Sequence, residues 1–276
     1  MIQKILLRIV FFLTLSVSFV FASGDSSFDG CFPHQGYGAS PIALGSAYTA
    51  ISNDILSLYW NPAGLAEIKS RQLITQQYDL GGLGITHSVL SFGAGQKGRG
   101  WAVSWNRLEP TNTWGYSYQE DTFAFGTGKK INSLQLGLSA KGYHSYLKSA
   151  EETDRKWSLG LDLGLIFNHN ASRFGIATRD LISLPAPGVA REYSLGYAWI
   201  GSSQVLALGI DFQGQARTLK LGFEYQLLDS VAIRCGLRGA DLTAGVGFTF
   251  QNINIDYAFS NNSMGKSNIF TYQLSF

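Results

Sequence analysis

From about residue 71 to the C-terminus, apolar positions alternate with small or polar positions in runs of about 9–11 residues. The clearest run places Leu219, Leu221, Phe223, Tyr225 and Leu227 on one face and Lys220, Gly222, Glu224 and Gln226 on the other. A period of two is the period of a β-strand and not of an amphipathic helix. Because bacterial barrels have an even number of strands, the pattern predicts about 14 strands over residues 71–276.

The length of the runs and the chemistry of their polar face favour a membrane barrel over a soluble sandwich. Soluble strands average about 5–6 residues, whereas a tilted strand needs about 9–11 to cross a bilayer. Charges of both signs lie on the polar face among many glycines: Lys141, Asp162, Asp211, Lys220, Glu224, Arg234, Arg238 and Asp256. They would be costly in a dry core, but a hydrated lumen accommodates them as pairs. We therefore predict an all-β fold, a transmembrane antiparallel up-and-down β-barrel.

The spacing between runs and the position of aromatic residues agree with this prediction. The longest connections, Leu108–Gln119 and Asp180–Ala190, are odd-numbered, whereas the even-numbered connections are compact. Outer-membrane barrels place short turns on the periplasmic side and longer loops outside, so both termini are predicted to be periplasmic. Trp101, Trp157 and Trp199 lie toward run ends, as interfacial girdles require.

A barrel of about 14 strands is wider than its own side chains can fill, so a plug is expected in the lumen. Residues 31–66 are the candidate segment. Pro41–Ile51 is predicted to form a short helix that ends at Asn53 and Asp54, and Trp60–Gly64 is predicted to form a tight turn segment. We predict an N-terminal helical hatch within residues 23–70 and a barrel over residues 71–276.

The first 22 residues have the organisation of a cleaved secretory signal peptide. A basic start with Lys4 and Arg8 precedes an apolar run, and small residues stand before Ser23. Removal of this segment from a chain with 21 basic and 19 acidic residues leaves 19 of each sign, which argues against nucleic acid as a partner. The predicted location is the bacterial outer membrane.

The sequence contains no motif that predicts catalysis. His34, His87, His144 and His169 are scattered without metal-ligand spacing, and no nucleophile elbow is present. The prediction is therefore a protein that is not an enzyme and has no metal and no cofactor, although barrel hydrolases exist. The lumen charges are interpreted as a structural ion-pair network that holds the plug, with a selectivity device as the alternative.

The segment before the barrel, with its tract Trp60-Asn61-Pro62-Ala63-Gly64-Leu65-Ala66, resembles the hatch of the FadL-type outer-membrane transporters, and is most similar to their PorV/PorQ-like branch. The last hairpin, with Phe270-x-Tyr272-x-Leu274-x-Phe276, is also similar to that branch. The resemblance implies a 14-stranded barrel with a plugged lumen, and it carries the hatch or gate role onto Asn61, Pro62 and Ala63. It also implies recognition of the terminal Phe276 by the barrel-assembly machinery.

Three functional hypotheses follow. The first is a FadL-like channel that passes small hydrophobic, fatty-acid-like molecules through a hatch-gated lumen. The second is a PorV/PorQ-like accessory of a secretion system or carrier of cargo. The third is a purely structural barrel. The expected partners are outer-membrane lipids, hydrophobic small molecules, the barrel-assembly machinery and secretion-system components. A transporter needs an apolar cavity above the hatch, and a carrier needs an exposed apolar patch at the rim.

Overall fold

The computed structural model describes residues 36–110, 117–149, 153–184, 189–262 and 265–276. The predicted signal peptide lies outside the described residues, as does Cys31. The other cysteine, Cys235, is a free thiol on an exposed outward-facing position.

The wall of the molecule consists of antiparallel strands, each paired with its neighbours in sequence. Their bounds are β1 Arg71–Asp79, β2 Ile85–Gln96, β3 Arg99–Pro110, β4 Ser117–Ile131, β5 Leu134–Lys148, β6 Thr153–His169, β7 Ser172–Leu184, β8 Glu192–Ile200, β9 Gln204–Gln213, β10 Ala216–Leu228, β11 Val231–Arg238, β12 Asp241–Phe250, β13 Ile253–Asn262 and β14 Gly265–Ser275. β1 pairs with β14, with Gln72 opposite Ser275, and this pairing closes the barrel. The predicted fold class and strand number are confirmed.

The connections differ between the two ends of the barrel. At the end that carries the start of β1 and the C-terminus, the connections have two or three residues, and at the other end they have two to seven. Lys97 and Gly98, both with positive φ, form the two-residue turn between β2 and β3, as a primed hairpin turn requires. We name the short-turn end periplasmic and the opposite end extracellular, following the rule for outer-membrane barrels.

The outer connections are shorter than the sequence predicts. Pairing of β3 with β4 continues to Leu108 and Glu120, and the strands themselves reach Pro110 and Ser117. Residues at both ends of the predicted loop Leu108–Gln119 therefore belong to strands. β7 likewise runs to Leu184, inside the predicted loop Asp180–Ala190. Ladder hydrogen bonds formed beyond the apolar runs account for the difference, because backbone pairing needs no apolar side chain.

The outer surface of the wall is apolar. Leu159, Leu161 and Leu163 of β6 are exposed, whereas Ser158 and Asp162, on the alternate positions of the same strand, are buried toward the lumen. Trp157 and Trp199 are exposed on the outer face near strand ends. Apolar residues outside and polar residues inside are the pattern of a barrel that sits in lipid. Among the described residues, no helix is long and apolar enough to cross a membrane.

The residues before β1 fill the lumen and form the core of the protein. This segment, residues 36–68, is called the hatch below. It contains the short helices α1 Ala39–Ala43 and α2 Ser57–Trp60 and the 3₁₀ helix Pro62–Glu67. Its apolar side chains, such as Leu44 and Leu58, are buried against inward-facing residues of the wall, such as Ile74 and Ala102.

The predicted helix Pro41–Ile51 is wrong in its extent. The helix begins at Ala39 and ends at Ala43. Gly45 and Ser46 both adopt positive φ, which a right-handed helix does not allow. The backbone of Gly45 also lies directly against β10 and β11, where a Cβ would overlap the backbone of Leu221 and Leu237. The backbone of Gly45 therefore packs against the wall, and the helix does not continue beyond Ala43.

Candidate functional site

Asn61 connects the hatch to the wall through its side chain. It is fully buried at the start of the 3₁₀ helix, where its Oδ1 accepts a hydrogen bond from the backbone N–H of Ala63 at 3.1 Å. Its Nδ2 lies 2.8 Å from the Thr49 carbonyl oxygen, 3.2 Å from that of Leu165 in β6 and 3.4 Å from that of Ile176 in β7. One amide thus caps a helix, binds another part of the hatch and reaches two strands.

The residues after Asn61 fit against the wall because glycines face them. Pro62 occupies the first position of the 3₁₀ helix, where its missing N–H costs nothing. A Cβ at Gly137 would overlap the backbone of Pro62 and Ala63. A Cβ at Gly164 would overlap Asn61 Oδ1. Further lumen-facing glycines with hatch backbone against them are Gly95, Gly100, Gly128, Gly175, Gly222 and Gly236. The hatch backbone therefore packs directly onto the wall.

The start of the hatch is held by side chains of the wall. The backbone N–H of Gly38 donates to Gln76 Oε1 at 2.7 Å, and that of Ala39 donates to Thr271 Oγ1 at 2.8 Å. Thr243 accepts from the Gly45 N–H at 3.1 Å and donates to the Ala43 carbonyl at 3.0 Å. These polar groups are neutral and buried.

An ion pair holds the hatch at its periplasmic end. Arg173 of β7 lies 3.1 Å from Glu67 Oε2 and donates to the Ser52 carbonyl at 3.2 Å. Gln135 donates to Glu67 Oε1 at 2.5 Å. Asp54 lies close by in the sequence and accepts from the Leu56 N–H at 2.9 Å and from the Tyr48 hydroxyl at 3.3 Å.

Burial raises the pKa of the Asp54 carboxyl to about 6, against the lowering effect of the hydrogen bonds from Leu56 and Tyr48. The negative charge of Asp256 raises it further. Asp54 belongs to the hatch, so its charge state is linked to how the hatch is seated.

A charged cluster lies above the hatch on the extracellular side. Lys141 contacts Asp162 at 2.8 Å and Asp180 at 3.7 Å. Arg179 pairs with Glu192 and lies 3.7 Å from Asp211, which also pairs with Lys220. These seven side chains are buried and lie on β5 to β10. They form two sets of ion pairs that meet at the sequence neighbours Arg179 and Asp180, and together they are called the extracellular network.

The cations of this network also cover the aromatic face of the hatch. Arg179 lies 4.8 Å from the ring centre of Tyr59, and Lys220 lies 5.5 Å from that of Trp60. Lys141 lies 6.0 Å from the Tyr59 ring centre. Cation–π contacts that are shielded from water contribute about 2 kcal/mol each. The network therefore binds the hatch as well as the wall.

A bulge in β7 delivers two members of this network to the lumen. Leu161 pairs with Ile182 and Leu163 with Thr178, so three residues of β7 stand opposite one residue of β6. Asp180 has positive φ, and its N–H donates to Asp162 Oδ1 at 2.9 Å. Arg179 and Asp180 therefore both point inward, although they are neighbours in sequence.

The predicted lumen charges fall into two groups. Lys141, Asp162, Asp211 and Lys220 belong to the extracellular network just described. Glu224, Arg234 and Asp256 form a second cluster on the other side of the hatch, where Arg234 lies 2.5 Å from Glu224 and 2.6 Å from Asp256. Arg238 lines a separate small cavity beside Asp241.

A cavity lies between the hatch and the outer connections. Tyr37, Leu58 and Tyr59 of the hatch form its floor, and Val189 and Ala190 of the outer connection lie over it. Its walls carry Ser104, Asn106, Thr122, Ala124, Lys141, Tyr143, Arg179, Asp180 and Glu192. We call it the vestibule. Its volume of about 30 Å³ accommodates about two water molecules.

The sequence prediction missed several residues of this site. Arg179 and Asp180 are adjacent charges inside an alternating run, and that break in the alternation is the signal of the bulge. Gln76, Thr243 and Thr271 carry no such signal, because a polar residue on the lumen face of a strand has the same pattern whether it binds the hatch or water.

A closed barrel with an even number of strands, an apolar outer face and its own N-terminal segment in the lumen defines the class: a hatch-plugged outer-membrane barrel. No protein-family model matches the chain, and no curated protein sequence is significantly similar to it.

Comparison with solved structures finds many relatives in fold. The toluene transporter TbuX of Ralstonia pickettii superposes with a TM-score of 0.67 at 12% identity, covering 89% of this chain and 100% of its own. The monoaromatic hydrocarbon channel CymD superposes with a TM-score of 0.70 at 12% identity, covering 87% and 98%. A FadL homologue from Pseudomonas aeruginosa superposes with a TM-score of 0.57 at 12% identity, covering 87% and 98%. The chain shares their fold.

Proposed function

We propose that this protein passes small hydrophobic molecules across the outer membrane through a lumen that the hatch gates. The observation that carries the proposal is the position of the vestibule, directly above the aromatic face of a hatch that closes the lumen. The shared fold supports it, because structures with the same barrel are described as a toluene transporter and a monoaromatic hydrocarbon channel. These relatives are channels and not enzymes, in keeping with a protein without catalysis.

The structure corresponds to the closed state of such a channel. A cavity that binds benzene has a volume of about 150 Å³, several times that of the vestibule. Passage therefore requires the hatch to move away from the wall, and Asn61 is the residue that joins the two most directly. We assign the gate to Asn61, Pro62 and Ala63, which pack against glycines of the wall.

Uptake by living cells tests the proposal. The chain is produced in a bacterial strain that lacks its own hydrocarbon channel, and entry of radiolabelled toluene is measured. We expect faster entry than in cells with an empty vector, and still faster entry with Asn61→Ala. Asn53→Ala serves as the control, because Asn53 is an exposed residue of the same hatch. Entry equal to that of the empty vector for both the natural chain and Asn61→Ala would refute transport.

The resemblance of the sequence to the PorV/PorQ-like branch supplies the second candidate, a carrier of secreted cargo. The observation that favours it is the shortness of the extracellular connections, two to seven residues, which leaves little material for a large capture site. A carrier needs no movement of the hatch, so Asn61→Ala would leave its activity unchanged. The predicted partners on this view are secretion-system components. The barrel-assembly machinery is a predicted partner on either view, with Phe276 as the signal.

A further inference from the structure

We propose that the vestibule selects hydrophobic molecules that carry a neutral hydroxyl group, of the phenol class, over plain hydrocarbons and over carboxylates. The inference rests on the proposed function and names its substrate class. It is carried by two polar groups of β3, Ser104 and Asn106, which line the vestibule from adjacent lumen-facing positions.

Both groups are buried without a hydrogen-bond partner. The residues Ser104 and Asn106 are 6% and 4% exposed, and neither Ser104 Oγ nor Asn106 Oδ1 makes a hydrogen bond within the described structure. The phenol of Tyr37 lies near Ser104, but the Ser104 hydroxyl remains outside hydrogen-bond geometry. Leaving a buried polar group unsatisfied costs about 1–3 kcal/mol, so the pair favours an occupant that satisfies it.

The chemistry of the pair fits a hydroxyl group. Asn106 Oδ1 is an acceptor and needs a donor, whereas the Ser104 hydroxyl either donates or accepts. A phenolic hydroxyl donates one hydrogen bond and accepts another, so it satisfies both groups together. A methyl group satisfies neither. The ring of such a molecule would lie against Leu58 and Tyr37 of the floor and Ala124 of the wall.

A carboxylate is disfavoured by the charges around the vestibule. The ion pairs of the extracellular network join three cations to four carboxylates. Each cation is already paired, and the excess charge is negative. A carboxylate ligand would also bring acceptor oxygens to Asn106 Oδ1, which is itself an acceptor. The site therefore rejects an anionic head group and admits a neutral one.

Entry requires a local enlargement. The vestibule of about 30 Å³ holds about two waters, and these would be displaced by the hydroxyl group and ring. Val189 and Ala190 close the vestibule from the extracellular side. Val189 and Ala190 are the lining residues that belong neither to a strand nor to the hatch, so they are expected to move aside.

Three ligands with one ring test the inference: p-cresol, toluene and 4-methylbenzoate. Each is titrated calorimetrically into the purified full chain in detergent micelles, with titration into micelles alone subtracted. We expect p-cresol to bind at least about tenfold more tightly than toluene, and 4-methylbenzoate to bind most weakly. The double variant Ser104→Ala and Asn106→Leu should weaken p-cresol at least about tenfold and leave toluene unchanged or tighter.

The matched control is Ser260→Ala, which removes a buried hydroxyl from the separate cavity beside Arg238. It should change none of the three affinities. Heat-modifiable migration in electrophoresis shows that each variant retains the closed barrel. Equal affinity for p-cresol and toluene, or tighter binding of 4-methylbenzoate, would overturn the inference and leave transport standing. Failure of all three to bind, together with absent toluene uptake by cells, would overturn both.

Discussion

The two ends of the hatch are attached to the wall by opposite arrangements. At the Asn61 end, a side chain of the hatch reaches backbone carbonyls of the wall, those of Leu165 and Ile176. At the α1 end, side chains of the wall reach backbone groups of the hatch, with Thr243 binding both Gly45 and Ala43. At the first end, the hydrogen bonds to the wall backbone are concentrated in Asn61, and the Glu67–Arg173 ion pair is a second attachment. At the second end, the hydrogen bonds are distributed over several strands. Loss of Asn61 should therefore weaken the first end more than loss of any one residue weakens the second.

The largest effect is expected from Asn61→Ala. The substitution removes the cap on Ala63 and the contacts to three carbonyl groups, which remain buried. At about 1 kcal/mol for each of two or three hydrogen bonds, the open hatch gains a factor of about 30–150 in population. Single-channel conductance in planar bilayers measures this open population. Unchanged conductance would remove the gating role from this end; Asn53→Ala is the exposed control.

A methyl group added to the wall should raise the conductance almost as much as Asn61→Ala does. In Gly137→Ala the new Cβ overlaps the backbone of Pro62 and Ala63, which has no flexible end to yield. Overpacking of this kind costs about 1–3 kcal/mol, so we expect about a tenfold or greater increase in conductance with a closed barrel. Gly142→Ala is the matched control on the same strand, since its Cβ would meet no atom closer than 4.0 Å. Equal behaviour of the two variants would contradict direct packing of the hatch.

A smaller effect is expected at the α1 end. Thr243→Val keeps the shape of the side chain and removes its hydrogen bonds to Gly45 and Ala43. Because Gln76 and Thr271 still hold Gly38 and Ala39, the hatch should loosen by only about 1–2 kcal/mol, and the conductance should rise severalfold. Thr249→Val, on an exposed position of the same strand, is the control. A conductance above that of Asn61→Ala would reverse the proposed order of the two ends.

This difference between the ends also explains what the sequence could predict. The strand pattern predicts the barrel and all of its strands, because alternation is imposed on every residue by lipid on one side and water or the hatch on the other. The Asn-Pro-Ala tract is visible because consecutive residues carry the hatch side of the attachment at that end, although its partners Leu165 and Ile176 are more than a hundred positions away. Thr243 and Gln76 are 167 positions apart in the numbering and meet the same short helix only after closure of the barrel. No local pattern marks such residues.

The hatch itself was harder to predict than the wall. The apolar and small residues of Pro41–Ile51 indicate a helix, and local propensity favours one. The close approach of Gly45 to β10 and β11 and its positive φ override that propensity. The wall that imposes this conformation lies more than a hundred residues further along the chain.

The smallest predicted effect concerns pH and acts on the periplasmic side of the hatch. The pKa of Asp54 is raised to about 6 from its ordinary value of 3.8, chiefly by burial. Between these values the seated hatch binds a proton that a released hatch gives up, so seating is strongest below about pH 4 and weakens as the pH rises through about 6. We expect conductance at pH 7.5 to exceed that at pH 4.5 by a fewfold.

The variant Asp54→Asn distinguishes the effect of this carboxyl on the conductance from the effects of its charged neighbours. The variant keeps an oxygen that can accept from the Leu56 N–H, and it leaves Glu224, Arg234 and Asp256 in place. Conductance of the variant should therefore lose most of its pH dependence and stay near the low value found for the natural chain at pH 4.5. If the conductance changes equally with pH in both proteins, the pH dependence belongs to the Glu224–Arg234–Asp256 cluster instead. That cluster belongs to the wall, whereas Asp54 belongs to the hatch. The result therefore decides whether the carboxyl that releases its proton lies on the wall or on the hatch.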